Sequence, residues 1–488
     1  MSQPKVSHWP ISILNGLSAM VALFLPMIMS RLISADDIGR YKVLFLYLLT
    51  MPALSLTGGI ENGLYYWAGL GEDGRPQVRT GWSLTLLLSL IFMVAVIVVS
   101  PWLGQWFGWS QGESLAFVIA SFTVALANFY EALLIATKRI WPGAFFSAGF
   151  DAMKTISLLS AVMYYRTAES AVWAFTVTSL IKIAVTLFFG SREGWIPLIP
   201  EFKSIKEVMK YSLPVSVSGI FDLLMNYSDR FLLSVIISPA EYAIYTFGCL
   251  SLPPLQILER SVNRVLIPKL TLSIKQHDRQ SCIHLYNEAV EQIMMLYIPA
   301  VVGLIVFAEP IIRLLFTEKY IAAASFLRLY ALWYLVSGWP YDVAARASGD
   351  GRWILKTNMI MGAFSLSVCA LLTWWLGALG ALISLIVSVT MLRFLGFRLM
   401  HKKFHWNFKE LVPVKSLMLF STFAVILGIG SFGLKGLFAT EFWWLVICGG
   451  AFALVYLGVL IYFRRDLFDF HIPIKFWRRK SADTSREK

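Results

Sequence analysis

The segment ISPAEYAIY (residues 237–245) repeats the pattern of an earlier segment, ISADDIGRY (residues 33–41). Serine, an acidic residue and tyrosine stand at the same spacing in both. Ser34 and Ser238 can each cap a following helix, and the acidic residue then falls at the third helical position, where it favours the N-terminus. The repeat therefore predicts two equivalent helix starts in a chain built from two similar halves.

The composition is that of a membrane protein. The chain has 488 residues, of which 58% are hydrophobic and only 15% are charged, and its mean hydropathy is +0.68. A soluble chain of this size needs far more polar surface. Apolar runs recur from end to end, and a helix of about twenty residues spans the hydrocarbon core. We predict an all-α polytopic membrane protein without a sizeable soluble domain.

The apolar runs predict about fourteen transmembrane helices. The spans lie roughly at 9–32, 41–66, 80–103, 113–136, 141–164, 168–190, 210–237, 241–267, 288–307, 321–344, 353–375, 378–400, 411–434 and 441–463. The first of these is too long for the apolar region of a cleavable signal peptide, so we interpret it as a span.

The repeat divides the spans into two halves of six. We expect an N-lobe (residues 1–200), a C-lobe (residues 201–405), two extra helices (residues 406–465) and a basic cytoplasmic tail (residues 466–488). An even number of spans in each half makes the repeat parallel, with its axis along the membrane normal. Two such lobes predict a central cleft, as in transporters.

Charge predicts the orientation. Most loop Lys and Arg residues fall in one alternating set of segments, which includes the tail, and this places both termini in the cytoplasm. The same imbalance accounts for much of the net charge of +13, so we expect no nucleic-acid partner. The tail, with FRRDLFDFHIPIKFWRRK (residues 463–480), is expected to lie along anionic lipid.

No motif predicts a cofactor, a metal or an enzyme. The four cysteines form no C-x-x-C pair, the six histidines lie outside the apolar runs, and no phosphate-binding loop is present. Transport energy would then come from an ion gradient or the membrane potential. The coupling ion would be Na⁺ or H⁺.

Two segments resemble a known family. LPMIMSRLISADDIGRYKVLFLYLLTMPALSLTGGIENGLYYWAG (residues 25–69) resembles the opening hairpin of bacterial Wzx-type polysaccharide flippases. NYSDRFLLSVIISPAEYAIYTFGCLSLPP (residues 226–254) resembles their seventh and eighth spans. These flippases belong to the MOP superfamily, which also contains MATE exporters and lipid II flippases.

The resemblance implies a V of two six-helix lobes that opens alternately to each side of the bacterial inner membrane. It implies an undecaprenyl-pyrophosphate-linked oligosaccharide as cargo, delivered for O-antigen, capsule or exopolysaccharide synthesis. The prenyl tail would stay in lipid, beside the last two spans. The polymerase and glycosyltransferases of the same biosynthesis are the implied protein partners.

Charged residues inside the spans are the candidate site, since each costs about 2.5–3.5 kcal/mol at mid-bilayer on insertion scales unless it meets a partner or water. In span 7, Asp222, Asn226 and Asp229 share one helical face, with Arg230 at its edge. This face either forms an Asp222–Asn226–Arg230 ladder against a neighbouring helix or lines the cleft, where it would hold sugar hydroxyls or a cation.

Cationic residues are the candidates for the pyrophosphate, because guanidinium groups match phosphate oxygens. Arg260 and Arg264 in span 8 are expected in this role. Alternatively, Glu259 neutralises a neighbouring cation and Arg264 is a cytoplasmic anchor. Lys182 in span 6 has no acid on its own helix, which favours a cavity role.

The other ionisable residues in the spans have more ordinary interpretations. Asp151 and Lys154 can neutralise each other at i, i+3 spacing, although they too can line the cavity. Glu61 is expected as a gate partner or a solvated helix end. We expect Arg328 to anchor its helix at the membrane edge and Arg393 to snorkel to the membrane surface. Glu131 and Glu291 are expected to be solvated or to cap helices.

Three other classes are possible. A MATE-type cation-coupled drug antiporter would favour twelve spans and an anionic cleft. A membrane enzyme such as an O-antigen polymerase would carry a large outer loop with catalytic residues, which this chain lacks. A scaffold without transport activity would not need charges at mid-span.

Overall fold

The computed structural model describes residues 24–463, and within them the chain is helical throughout, without strands. The start of the first span and the tail at 466–488 lie outside the described residues. The helices are α1 (residues 24–32), α2 (Ala35–Leu54), α3 (Gly58–Trp67), α4 (Arg75–Phe107), α5 (Gln111–Ala136), α6 (Ile140–Tyr165), α7 (Ala168–Arg192), α8 (Ile205–Ile236), α9 (Pro239–Gly248), α10 (Pro253–Lys275), α11 (Arg279–Val306), α12 (Ala308–Phe316), α13 (Ala323–Ser337), α14 (Val343–Ala347), α15 (Gly351–Phe404), α16 (Val414–Gly433), α17 (Glu441–Trp444) and α18 (Gly450–Phe463).

The two repeated segments form the same helix start, as predicted. The Ser34 hydroxyl accepts a hydrogen bond from the backbone N–H of Asp37 at 3.0 Å, and this cap begins α2. The Ser238 hydroxyl does the same with Glu241 at 3.3 Å and begins α9. A serine cap of this kind satisfies an N–H that the first helical turn leaves unpaired.

Three predicted spans are interrupted. Span 2 is divided into α2 and α3, span 8 into α9 and α10, and span 10 into α13 and α14. Pro52 and Leu56, which has a φ of +60°, lie at the first interruption. Pro253 opens α10. Proline cannot supply the N–H that would continue the preceding helix.

Spans 11 and 12 form a single helical run, α15, with a kink at Gly377. Its φ of +60° is a conformation that glycine adopts without steric cost, and it allows the chain to change direction between the two spans. Within residues 24–463, eight helical segments are long and apolar enough to cross a membrane. The multi-pass fold is therefore confirmed, while the count of fourteen spans stays a prediction.

The two halves of the chain pack against each other mainly through two pairs of helices. α2 packs on α9, and α3 packs on α8. At the second contact, the Ser216 hydroxyl of α8 accepts from the backbone N–H of Gly59 and donates to the carbonyl of Leu56. Within the halves, α5 packs between α4 and α7, and α8 packs along α15. The lobe boundaries themselves stay a prediction.

The last two spans pack on the outside of the second half. α16 lies along α11, where the Ser416 hydroxyl donates to Glu291 at 2.6 Å. The interpretation of Glu291 as solvated or capping was therefore wrong, because it joins two packed helices. Arg328 pairs with Glu309 at 2.7 Å, and Glu309 also lies 3.5 Å from Lys435 in the loop after α16.

Candidate functional site

A polar pocket lies among four helices of the first half. It has a volume of about 260 Å³ and is open on one side. Its charged lining residues come from α3, α5, α6 and α7, with uncharged polar residues between them. The pocket-lining residues are Glu61, Tyr65, Asn128, Glu131, Ala132, Ser147, Asp151, Lys154 and Lys182.

Lys182 is held from a neighbouring helix. Its Nζ lies 3.0 Å from Oε2 of Glu131 and 3.1 Å from Oδ1 of Asn128, both on α5. The absence of an acid on its own helix did not leave Lys182 isolated, and Glu131, interpreted as solvated or capping, is instead its ion-pair partner. Sequence reasoning missed this pairing, although an acid within the apolar run of α5 was itself the signal that Glu131 faces a partner or a wet cavity.

Asp151 and Lys154 form the predicted ion pair, with 2.6 Å between Oδ1 and Nζ. Both also line the polar pocket and an adjoining cavity of about 120 Å³. This second cavity is more apolar, with Leu49, Phe150 and Phe175 in its wall. Asp151 and Lys154 therefore form an ion pair and also line the two cavities.

Glu61 lines the polar pocket from the first turn of α3. Its carboxylate forms no hydrogen bond or ion pair with any residue in the described part of the chain. Its position gives the pocket three carboxylates and two ammonium groups. One carboxylate is therefore left without a cation of its own.

The polar face predicted for span 7 is divided between two environments. Asp222 and Asn226 are exposed, and the Asn226 side-chain amide donates to Oδ1 of Asp222 at 3.2 Å. Asp229 is buried, with 1% of its surface exposed, and accepts a 2.6 Å hydrogen bond from the Tyr245 hydroxyl. Asp229 therefore supports the repeated segment at 237–245 and does not line a cleft.

Arg230 does not complete the predicted ladder. No hydrogen bond or ion pair between residues 24 and 463 joins Arg230 to Asn226 or Asp222, and its guanidinium lies 5.3 Å from the centre of the Tyr227 ring. A guanidinium over an aromatic face is attracted by the ring quadrupole. The ladder interpretation holds for Asp222 and Asn226 only.

Arg260 and Arg264 lie one turn apart on α10, and both are exposed. Neither guanidinium forms a hydrogen bond or ion pair with another described residue. The neighbouring Glu259 instead accepts from the Tyr297 hydroxyl at 3.2 Å.

Arg393 does not snorkel to the membrane surface. Its Nη2 donates to the carbonyl of Ser337 at 2.6 Å, and its guanidinium lies 4.9 Å from the centre of the Tyr341 ring. The adjacent Asp342 pairs with Arg346 at 2.6 Å. These contacts join α15 to the segment between α13 and α14.

The candidate residues therefore form two groups. Asp151, Lys154 and Lys182 meet in the polar pocket, whereas the others lie on two helices of the second half. That second group contains Asp222, Asn226, Arg230, Arg260 and Arg264. No contact among the described residues joins Lys182 to Arg260 or Arg264, and the cationic cleft expected between the lobes stays a prediction.

Known proteins resemble the chain at the level of both family and fold. The model of a family described as "Polysaccharide biosynthesis protein" matches residues 28–325, which is more than half of the chain. A membrane protein of the cps region of Klebsiella pneumoniae is 21% identical over 402 residues, or 78% of this chain and 79% of that protein. A probable lipid II flippase MurJ of Rhizobium meliloti (strain 1021) is 27% identical over 177 residues, 34% of this chain and only 31% of that relative.

Solved structures share the fold. A lipid II flippase MurJ in an inward closed conformation has a TM-score of 0.75 at 16% identity and covers 94% of this chain and 99% of its own. An inward-facing MATE multidrug transporter of the MOP superfamily has a TM-score of 0.61 at 16% identity, with coverage of 80% and 94%. The chain belongs to the polysaccharide biosynthesis protein family and has the fold of the MOP superfamily.

Proposed function

We propose that this protein is a flippase that moves an undecaprenyl-pyrophosphate-linked oligosaccharide across the bacterial cytoplasmic membrane by alternating access. The product would feed the synthesis of O-antigen, capsule or exopolysaccharide. Membership of a polysaccharide biosynthesis family and the MurJ-like fold support this class of transporter. A lipid substrate of this kind reaches the protein from the bilayer, so its carrier tail never has to leave the hydrocarbon.

The observation that carries the proposal is the pair of unpartnered arginines on α10. A charged side chain in a membrane protein is expensive unless something pairs with it, and Arg260 and Arg264 have no protein partner among the described residues. Two guanidinium groups one turn apart match the several oxygens of a pyrophosphate. The polar pocket on the other half of the protein offers the hydrogen-bonding groups that a sugar needs.

An ion gradient, of Na⁺ or H⁺, would supply the energy, since the chain has no nucleotide-binding motif. Both termini would face the cytoplasm under the positive-inside rule. The polymerase and glycosyltransferases of the same biosynthesis would act before and after translocation. We propose these points as parts of the same hypothesis.

The test begins with a strain that lacks this gene. Mass spectrometry of its lipid fraction should find one accumulated undecaprenyl-linked repeat unit, together with loss of surface polymer. Arg260→Ala and Arg264→Ala should each restore less than about a tenth of the polymer that the wild-type gene restores. Arg398→Ala, which removes an exposed arginine from α15, is the matched control and should restore it fully.

A MATE-type cation antiporter is the second candidate. The excess carboxylate in the polar pocket and the MATE-like fold favour it. Unchanged glycolipids in the deletion strain, together with new sensitivity to cationic drugs, would establish this function in place of the first.

A further inference from the structure

The polar pocket contains more carboxylates than ammonium groups. Asp151 is paired with Lys154, and Glu131 is paired with Lys182. The Glu61 carboxylate alone has no ion-pair or hydrogen-bond partner in the described chain. The pocket thus holds three carboxylates against two ammonium groups, and each ammonium group already pairs with another carboxylate.

We infer that the polar pocket is a sugar subsite that accepts an uncharged sugar unit of the cargo and rejects an acidic one, with Glu61 as the residue that sets this preference. The inference rests on the proposed function, because it assigns part of the same substrate to a separate place in the protein. It concerns the glycan and not the pyrophosphate.

The lining has the chemistry that binds sugars. Carboxylate oxygens and the Asn128 amide accept hydrogen bonds from sugar hydroxyls, and the Ser147 hydroxyl can donate or accept. Tyr65 stands at the pocket with 48% of its surface exposed, so its ring is available to pack against the apolar face of a sugar. A pocket of about 260 Å³ with an open side holds one sugar unit while the rest of the chain extends outward.

Charge decides which sugar fits. A uronic acid would bring another carboxylate next to Glu61, in a pocket where Lys154 already pairs with Asp151 and Lys182 with Glu131. Four carboxylates would then share two ammonium groups, and like charges brought together repel. An uncharged sugar has only hydroxyls to place there, and it gives Glu61 the hydrogen-bond donors that the protein does not provide.

The test uses purified full-length protein in proteoliposomes and two synthetic probes, undecaprenyl-pyrophosphoryl-glucose and undecaprenyl-pyrophosphoryl-glucuronic acid. The probes differ only at the sixth carbon of the sugar. We expect the wild type to translocate the glucose probe about tenfold faster or more. Glu61→Gln keeps the size of the side chain and one acceptor oxygen but removes its charge, so the ratio should fall to about twofold.

Two controls separate specificity from folding. Glu72→Gln removes a carboxylate of the same half that lies outside the pocket and pairs with Arg75, and it should keep the wild-type ratio. The thermal midpoint of Glu61→Gln should equal that of the wild type, because the Glu61 side chain has no hydrogen bond to lose.

The outcomes distinguish this inference from the proposed function. Equal translocation of both probes by the wild type, or an unchanged ratio in Glu61→Gln, overturns the inference while leaving a flippase. The wild type could instead translocate neither probe and none of the glycolipids that accumulate in the deletion strain. That result would overturn the proposed function and the inference with it.

Discussion

Gly39 of α2 lies directly against Pro239 of α9, so that a Cβ atom at position 39 would come within 1.8 Å of the Pro239 carbonyl oxygen. Pro239 belongs to the second repeated segment and Gly39 to the first. The two helix starts that the repeat predicts are therefore also in contact with each other. Only glycine permits this approach of the two backbones, which closes one end of the space between the halves.

Gly39→Ala should disturb this closure. The added methyl group meets backbone atoms that cannot rotate away, so the halves must separate, at a cost of about 1–3 kcal/mol. We expect a lower thermal midpoint in detergent and reduced polymer export in a complemented deletion strain. Gly149→Ala, in α6, is the control, because its methyl group would meet open space. Equal behaviour of the two variants would contradict this account.

A second contact between the two halves, near the contact of Gly39 with Pro239, involves Arg31. Its guanidinium donates to the carbonyls of Leu314 and Leu315 in α12, at 2.6 Å and 2.9 Å, and so joins the first span to the second half. Arg31→Gln cannot make this forked contact, so the closed arrangement should lose population. Electron spin resonance distances between labels at Asp36 and Glu318 should then show an added, longer component.

Arg166→Gln is the control for that measurement. It removes an arginine between α6 and α7, in the left-handed cap of α6, and should leave the distance distribution as in the wild type. An Arg31→Gln distribution without the longer component would show that the link does not hold the closed end.

The sequence was most informative where structure is local. The serine caps of α2 and α9 and the ion pair of Asp151 with Lys154 follow from spacings of three residues, so one helix determines them. The apolar runs likewise predicted where most helices lie along the chain. Their interruptions were harder to predict, because an apolar run of sufficient length looks like one span even when it contains prolines.

The sequence was least informative about which helices are neighbours. Helical spacing put Asp229 on the same face as Asp222, but it could not show that Tyr245 packs against one end of that face only. Similarly, nothing on α7 indicates that Glu131 of α5 lies beside Lys182. Partners across helices depend on packing, and packing is a property of the whole chain.

Glu193 should make stability depend on pH. Arg139 forms a forked pair with it at 2.6 Å and 2.7 Å, and this hydrogen-bonded guanidinium holds the pKa of the Glu193 carboxyl below its ordinary value. A lowered pKa means that the folded state is favoured while the carboxyl is ionised. The contribution is therefore complete above the unfolded pKa of about 4.3 and is lost as the pH falls through the lower, folded value.

Glu193→Gln should thus lower the free energy of unfolding by about 1 kcal/mol at pH 7, since the pair is partly exposed. The difference from the wild type should shrink as the pH falls below about 4.3 and vanish only below the lower, folded pKa of Glu193. Thermal unfolding at pH 7 and at an acid pH below that folded pKa measures it. Glu72→Gln, which breaks a pair whose carboxylate is 73% exposed, should change little at either pH, and a difference for Glu193→Gln that persists at low pH would refute the assignment.

Variants of Lys182 and Glu131 can show whether this ion pair only holds two helices together or whether its side chains also bind the cargo. Lys182→Gln alone leaves two carboxylates, Glu131 and Glu61, without a cation, and should destabilise the protein by about 2 kcal/mol. The double variant Lys182→Gln/Glu131→Gln removes both charges and keeps hydrogen-bonding groups, so it should recover most of the lost thermal stability. If the pair only held α5 to α7, export would recover with it. We expect stability to return while export stays low, because the pocket then lacks the Glu131 carboxylate that accepts hydrogen bonds from sugar hydroxyls.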